Sequence, residues 1–254
     1  VLLNVRQPQK NHVLAISVSS QNPAAYLVTS HPENPLEPPV FCMTLRKHLE
    51  GGRIGKIRQE ELDRLFFVEI DTIGAQSSIV TKTLALEFMA QYSNVILLGP
   101  DGKIIDALHK IGAGRSRVRE VLPHLDYVPI ASDKLNIFEA TEGSIKERLQ
   151  AMPQKSVAGA ILETLMGFGP ASAREAAYRA GLAAKKMEEL DKEDYARLFA
   201  ALEDLKTELS DPHPTLYIGE NQKLLAMSAF PLSHSEGKAT AYTSISKALE
   251  AADK

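Results

Sequence analysis

Two hydrophobic periods divide the chain. Up to about residue 130, apolar positions come in short alternating runs. Beyond it they recur at helical spacing. Val1–Arg6 and Val13–Val18 read as a hairpin, and Ala25–Thr29 as a further strand that ends in a polar, proline-rich loop from Ser30 to Pro39. The first strand has no lead-in and the chain starts without Met, so a fragment of a longer protein is expected. Phe41, Leu45 and Leu49 lie four apart, which predicts a helix over Phe41–Glu50 stopped by Gly51-Gly52. Arg53–Gln59 and Leu65–Ile70 alternate like paired strands, with Glu60–Arg64 as the connection. Leu84, Phe88 and Tyr92 repeat the spacing of four and predict a second helix over about Thr81–Tyr92. Val95–Leu98 and Ile104–Leu108 flank Pro100-Asp101-Gly102, a hairpin signal.

In the second part, Val157, Ile161 and Leu165 mark a helix. Gly167-Phe168-Gly169-Pro170 is a tight turn that places Pro170 at the first position of the next helix, with Gly181 at its end. Asp191 is placed to cap a helix whose Leu198, Leu202, Leu205 and Leu209 share a face. Leu216–Gly219 and Lys223–Phe230 suggest a closing hairpin, and a last helix begins near Ser244. The expected class is α+β: a β-rich lobe over 1–130, a helical domain over 131–211, and a hairpin with the start of a helix over 212–254.

Composition narrows the function classes. No apolar run approaches the roughly 18 residues that would span a bilayer, so a membrane role has no support. The single Cys42 excludes an internal disulfide framework and fits a reducing cytosol. Seven scattered histidines and one cysteine build no metal site, and no nucleophile elbow or phosphate loop with its lysine occurs. Neither a cofactor nor an active site of the chain's own is expected. Net charge is −3, with 14 basic against 13 acidic residues over 1–130 and 15 against 19 thereafter. Local basic clusters can still bind phosphate, because salt screens charges beyond roughly 8 Å.

Three features carry candidate chemistry. With Leu45 and Leu49 inward, Arg46 and Lys47 face outward beside Arg53, Lys56 and Arg58; an ordinary solvated face is the competing reading. Arg115, Arg117 and Arg119 alternate, a spacing suited to successive phosphates in an extended chain, or else to pairing with nearby Glu120 and Asp126. The Gly167 and Gly169 turn, followed by Ala173, Ala176 and Ala177, suggests a helix-hairpin-helix whose exposed backbone amides can grip phosphate, though such hairpins also serve only packing. Asp63-Arg64 by itself reads as a local salt bridge worth under about 1 kcal/mol.

The run Pro38–Gly52, Asp63-Arg64 after it, Leu86–Met89, Ser93–Leu97, Arg119 in an Arg-x-x-Leu-Pro context, Tyr127, and then Gly167–Pro170 and Tyr178–Leu182 together resemble the N-terminal region of the NFACT family, over nearly the whole chain. That family comprises bacterial RqcH, often labelled fibronectin-binding protein, with eukaryotic NEMF and archaeal relatives. The resemblance implies a lobe like that of formamidopyrimidine-type DNA glycosylases followed by helix-hairpin-helix elements. It also implies a role on obstructed large ribosomal subunits, with tRNA (alanyl in bacteria) and ribosomal RNA as partners in template-free tailing. On that reading the ribosome supplies the bond-making chemistry. Asp63 and Arg64 contact tRNA, as do Glu87, Phe88 and Met89, where Phe88 stands in the usual aliphatic place. His124 stands where glycine is usual. The glycosylase's Pro-Glu start and four-cysteine zinc finger are lacking, which argues against base excision. A protein-binding, adhesin-like module that takes fibronectin or fibrinogen is the alternative.

Overall fold

The computed structural model describes residues 1–29, 35–114, 119–220 and 222–253. The chain forms two compact units, Val1–Ala131 and Ser132–Lys254. The helices and the closing sheet belong to the same second unit.

In the first unit β1 (Leu2–Arg6), β2 (Asn11–Ser17) and β3 (Ala24–Val28) make an antiparallel meander. Helix α1 (Val40–Leu49) follows, with Phe41 and Leu45 buried as the spacing predicts. Gly51, at φ 76, takes the left-handed position that ends it, and Lys82 Nζ donates to the His48 carbonyl at 3.0 Å, which satisfies one of the free acceptors of the last turn.

A five-stranded antiparallel sheet completes the unit: β4 (Arg53–Gln59), β5 (Leu65–Ile73), β6 (Ile79–Glu87), β7 (Asn94–Leu98) and β8 (Ile104–Ala107), in sequence order. Its two faces are both apolar. Val68, Ile70, Leu84, Leu86, Phe88, Val95 and Leu97 pack with Phe41 and Leu45 of α1 and Ile16 of β2. Leu65, Phe67, Ala85, Ile96 and Leu98 form the other layer with Ile104, Ala107 and Val121.

The helix expected over Thr81–Tyr92 is therefore a strand. A spacing of four, as between Leu84 and Phe88, satisfies period two as well as 3.6, and Leu86 between them decides for the strand. Tyr92 does not join the apolar stripe; it lies beyond the strand, exposed, in a short 3₁₀ turn over Ala90–Tyr92.

The second unit holds α2 (Glu142–Gln150), α3 (Val157–Thr164), α4 (Pro170–Arg179), α5 (Lys192–Ser210), a small sheet ordered β10 (Leu224–Ser228), β9 (Thr215–Ile218), β11 (Lys238–Ala241), and α6 (Ile245–Ala252). Thr141, Ser156, Asp191 and Ser244 cap α2, α3, α5 and α6 through their side-chain oxygens. Asp191 does so in a reciprocal box with Asp194. Pro170 opens α4, and Gly181 follows it at φ 71. The turn between α3 and α4 needs Gly167 at φ 79.

Buried Glu175 ties this unit together. Its Oε1 accepts from Arg179 Nε at 2.6 Å and its Oε2 from His234 Nδ1 at 2.7 Å, while Arg179 reaches Glu208 of α5 at 2.6 Å and the Pro231 carbonyl at 2.9 Å. These bonds hold the Glu175 carboxyl at a pKa of about 2, against a burial penalty that would raise it.

Candidate nucleic-acid interface

Three segments meet at one end of the five-stranded sheet. The β4–β5 turn closes through the Glu60 N–H to Leu65 C=O bond at 2.9 Å and the Asp63 N–H to Glu60 C=O bond at 2.8 Å, with Glu61 at φ 46. Gln59 Nε2 donates to the Asp63 carbonyl at 2.8 Å, and the Asp63 carboxylate accepts the backbone N–H of Arg64 at 2.7 Å. Asp63 thus serves the turn backbone. The expected salt bridge between the two side chains does not form, and the exposed Arg64 guanidinium has no ion-pair partner among the described residues.

The Phe88 N–H donates to the Arg64 carbonyl at 2.9 Å, one step past the Leu65 and Glu87 register pair. Asp63-Arg64 and Glu87–Met89, 23 residues or more apart in sequence, are brought together by this bond. Their side chains differ sharply in exposure. Phe88 lies in the core with its ring 5.8 Å from that of Phe66, and Met89 is half-buried.

Glu87 alternates to the opposite face from Phe88 and is 0% exposed. Both its oxygens accept from Arg119 Nη2, at 2.6 and 2.5 Å, and Oε1 also accepts from the Tyr127 hydroxyl at 2.7 Å. Arg119 Nη1 donates to the Val128 carbonyl, and its guanidinium carbon lies 5.4 Å from the Tyr127 ring centre. Burial pushes the Tyr127 phenol well above its ordinary pKa, and the Glu87 charge pushes it further. Burial works against the Arg119 charge, yet the Glu87 bonds and charge hold its pKa above the usual arginine value. A carboxylate that accepts three hydrogen bonds from two donors, one of them charged, is a satisfied buried network.

This arrangement corrects two expectations. Arg119, expected among phosphate ligands because alternate arginines in an extended chain project to one side, has a side chain 9% exposed that pairs with Glu87. Glu87 and Phe88, read as direct tRNA contacts, face the interior, because β6 is a strand with both faces covered. Arg115 and Arg117 lie outside the described residues. Tyr127 is the member of the network that no period or spacing marks out.

On α1, Arg46 and Lys47 are exposed and without ion-pair partners among the described residues, as are Arg53 and Lys56 on β4. Arg58 differs: it pairs with Glu60 at 2.9 Å and lies 3.8 Å above the Phe67 ring. The His48 pKa is lowered, by burial first and then by the charges of Lys82 and Lys47, which registers the positive potential at this end of α1. Gly167 is exposed and Gly169 half-exposed in the second unit, at the start of α4, whose first turn carries no acidic residue. Among the described residues no group of three or more His, Cys, Asp or Glu could hold a metal ion, and no helix is long and apolar enough to cross a membrane.

The family described as NFACT N-terminal and middle domains matches residues 1–251. The Rqc2 homolog RqcH of Bacillus subtilis (strain 168) is 33% identical over 252 residues, which are 98% of this chain and 42% of that protein. The Rqc2 homolog RqcH of Streptococcus suis (strain 05ZYH33) is 30% identical over 181 residues, 70% of this chain and 32% of its own length. The chain spans less than half the length of these relatives. The crystal structure of the fibrinogen binding protein from Staphylococcus aureus has a similar fold, with a TM-score of 0.79 at 24% identity, covering 98% of this chain and 85% of that one. The N-terminal part of the fibronectin/fibrinogen-binding protein from Streptococcus suis gives 0.75 at 25% identity, covering 100% and 87%.

Proposed function

The chain belongs to the NFACT family, and from that premise we propose that it is the RNA-positioning part of a cytoplasmic ribosome quality control factor. In this reading it engages tRNA on an obstructed large ribosomal subunit for template-free tailing of the stalled chain. The observation that carries the proposal is the pairing of the Asp63-Arg64 turn with the end of β6 through the Phe88 amide, which leaves Arg64 exposed and unpaired among the described residues. An exposed guanidinium on a turn braced by backbone bonds is a pre-organised hydrogen-bond donor to phosphate.

The exposed Arg46 and Lys47 add sequence-independent phosphate contacts. The amides at Gly167 and Gly169, in a helix-hairpin-helix reading of α3 and α4, would add more. No bond-making step is assigned to the chain, since the ribosome supplies it. Glu87 and Arg119 support the RNA surface from beneath.

The test is binding of purified tRNA by this chain and by the full-length protein, read across salt concentration. Affinity should fall linearly on a log–log plot as counterions are released. Arg64→Ala should weaken it, and RNA recovered with the full-length protein from cells should be enriched in tRNA and large-subunit ribosomal RNA. Salt-independent or absent tRNA binding, with retention on immobilised fibrinogen or fibronectin, would favour instead the interaction that the names of the Staphylococcus and Streptococcus structures state.

A further inference from the structure

We infer that Tyr92 offers its ring as a stacking platform for an unpaired nucleobase, at the end of the sheet that carries the exposed Arg64. The inference rests on the tRNA reading above and adds the base to it. Leu65, Glu87 and Asn94 are consecutive register partners across β5, β6 and β7, so the β4–β5 turn and the β6–β7 connection emerge at the same end of the sheet. Tyr92 lies in that connection. The residue is 61% exposed, whereas the other described Phe and Tyr residues of 1–131 are buried or half-buried. Its hydroxyl has no hydrogen-bond partner among the described residues.

Exposure alone would be unremarked on a mobile loop, but this backbone is locked. The buried Ser93 hydroxyl accepts the Met89 N–H at 2.9 Å and donates to the Ala90 carbonyl at 2.7 Å. The Tyr92 N–H returns to the Met89 carbonyl at 2.9 Å. Ala90 sits at φ 49, a left-handed conformation that costs a non-glycine residue roughly 1–2 kcal/mol and persists because these bonds fix it.

A large, exposed aromatic residue is thereby held at some expense in strain at the end of the sheet that also carries an unpaired cation, Arg64. Stacking face and guanidinium together match what loop RNA offers, an unstacked base and its adjoining phosphate. Free phosphate lacks the base, and within a duplex the base faces are covered by their neighbours.

The chain has no tryptophan, so Tyr92→Trp supplies a single reporter. Purified tRNA should quench its emission, while inorganic polyphosphate, which carries charge without bases, should not. Tyr92→Ala should weaken tRNA binding about 10-fold and Tyr92→Phe by less than about 2-fold, since the ring and not the hydroxyl is used. The salt slope of Tyr92→Ala should match that of the unaltered chain, whereas Arg64→Ala should flatten it by roughly 0.7 for one lost phosphate contact. Unchanged affinity of Tyr92→Ala, unquenched Tyr92→Trp at saturation, or a Phe variant as weak as the Ala variant each overturns the inference. If Arg64→Ala weakens binding and Tyr92→Ala does not, the tRNA reading stands without the stack. If the unaltered chain binds no tRNA, both fall.

Discussion

Arg119 and Glu87, 32 residues apart in sequence, form a buried ion pair in which one guanidinium nitrogen serves both carboxylate oxygens. The pair lies directly beneath the peptide whose Phe88 amide holds the Arg64 carbonyl. Removing one partner leaves an uncompensated charge in the interior, at a cost of about 3–5 kcal/mol. Arg119→Ala and Glu87→Ala should therefore each lower the melting temperature of the chain by roughly 10 °C or more. The Arg119→Met, Glu87→Leu double variant, which buries no lone charge, should lose less than either. Calorimetry on the three proteins tests this; a double variant as unstable as the sum of the singles would refute it.

The same network makes an alkaline signature. The folded-state pKa of Tyr127 lies above its ordinary value of 10.0 because burial and Glu87 oppose the phenolate. Its stabilising contribution is complete below pH 10 and declines as pH rises beyond, since the unfolded chain then loses a proton that the folded chain keeps. Tyr127→Phe should remove that component of the alkaline slope. It should also cost about 1.5–3 kcal/mol at neutral pH through loss of a bond to a charged acceptor. Ultraviolet titration of phenolate should show Tyr127 titrating only with unfolding.

In the second unit the sign reverses. Glu175 titrates near pH 2 when folded, against 4.5 as the ordinary value, held down by Arg179 and His234. Its contribution is present above pH 4.5 and disappears as pH falls toward 2. Glu175→Gln should flatten the dependence of unfolding on pH across that window. Unfolding midpoints in urea at a series of pH values measure it, and an unaltered slope in the Gln variant would count against the assignment.

Much of this architecture is legible in the sequence, and the failures have identifiable physical origins. Phe41, Leu45 and Leu49 announce α1 because a helix with one covered face leaves a clean stripe. β6 misleads because it is covered on both faces, so Leu84 and Phe88 lose the polar alternation that would mark a strand. β11 goes unread for the opposite reason: Lys238–Ala241 is exposed throughout and carries no apolar signal. At the site, Asp63-Arg64 is visible as a turn, but its junction with Phe88 is a backbone bond that side-chain identity does not encode. Arg119 reads as a surface cation because nothing local reveals that Glu87 waits for it across the sheet.

His124 supplies a test of local strain. It occupies φ 71, where the family resemblance expects glycine. A side chain in this region costs roughly 1–2 kcal/mol relative to the right-handed or extended regions, partly offset by the greater freedom glycine brings to the unfolded chain. His124→Gly should raise stability by about 0.5–1 kcal/mol, while His124→Val, branched at Cβ, should lower it. Chemical denaturation resolves both, and a destabilised Gly variant would show that the His124 ring contributes packing that outweighs its backbone strain.

The outward face of α1 gives the last prediction. Arg46 and Lys47 are exposed and make no ion pair among the described residues, so their replacement leaves no buried charge behind and should change stability by under about 0.5 kcal/mol. If they touch RNA backbone, each lost contact removes roughly 0.7 from the slope of log affinity against log salt. The Arg46→Ala, Lys47→Ala double variant should therefore bind tRNA more weakly at low salt, with a slope flatter by about 1.4, and should converge on the unaltered chain as salt rises. Because Lys82 holds the end of the helix at the His48 carbonyl independently of both side chains, helix loss does not mimic the effect. Parallel binding curves for the two proteins at every salt concentration would remove α1 from the RNA surface and leave the cations of the five-stranded sheet, Arg53, Lys56 and Arg64, to carry it in the first unit.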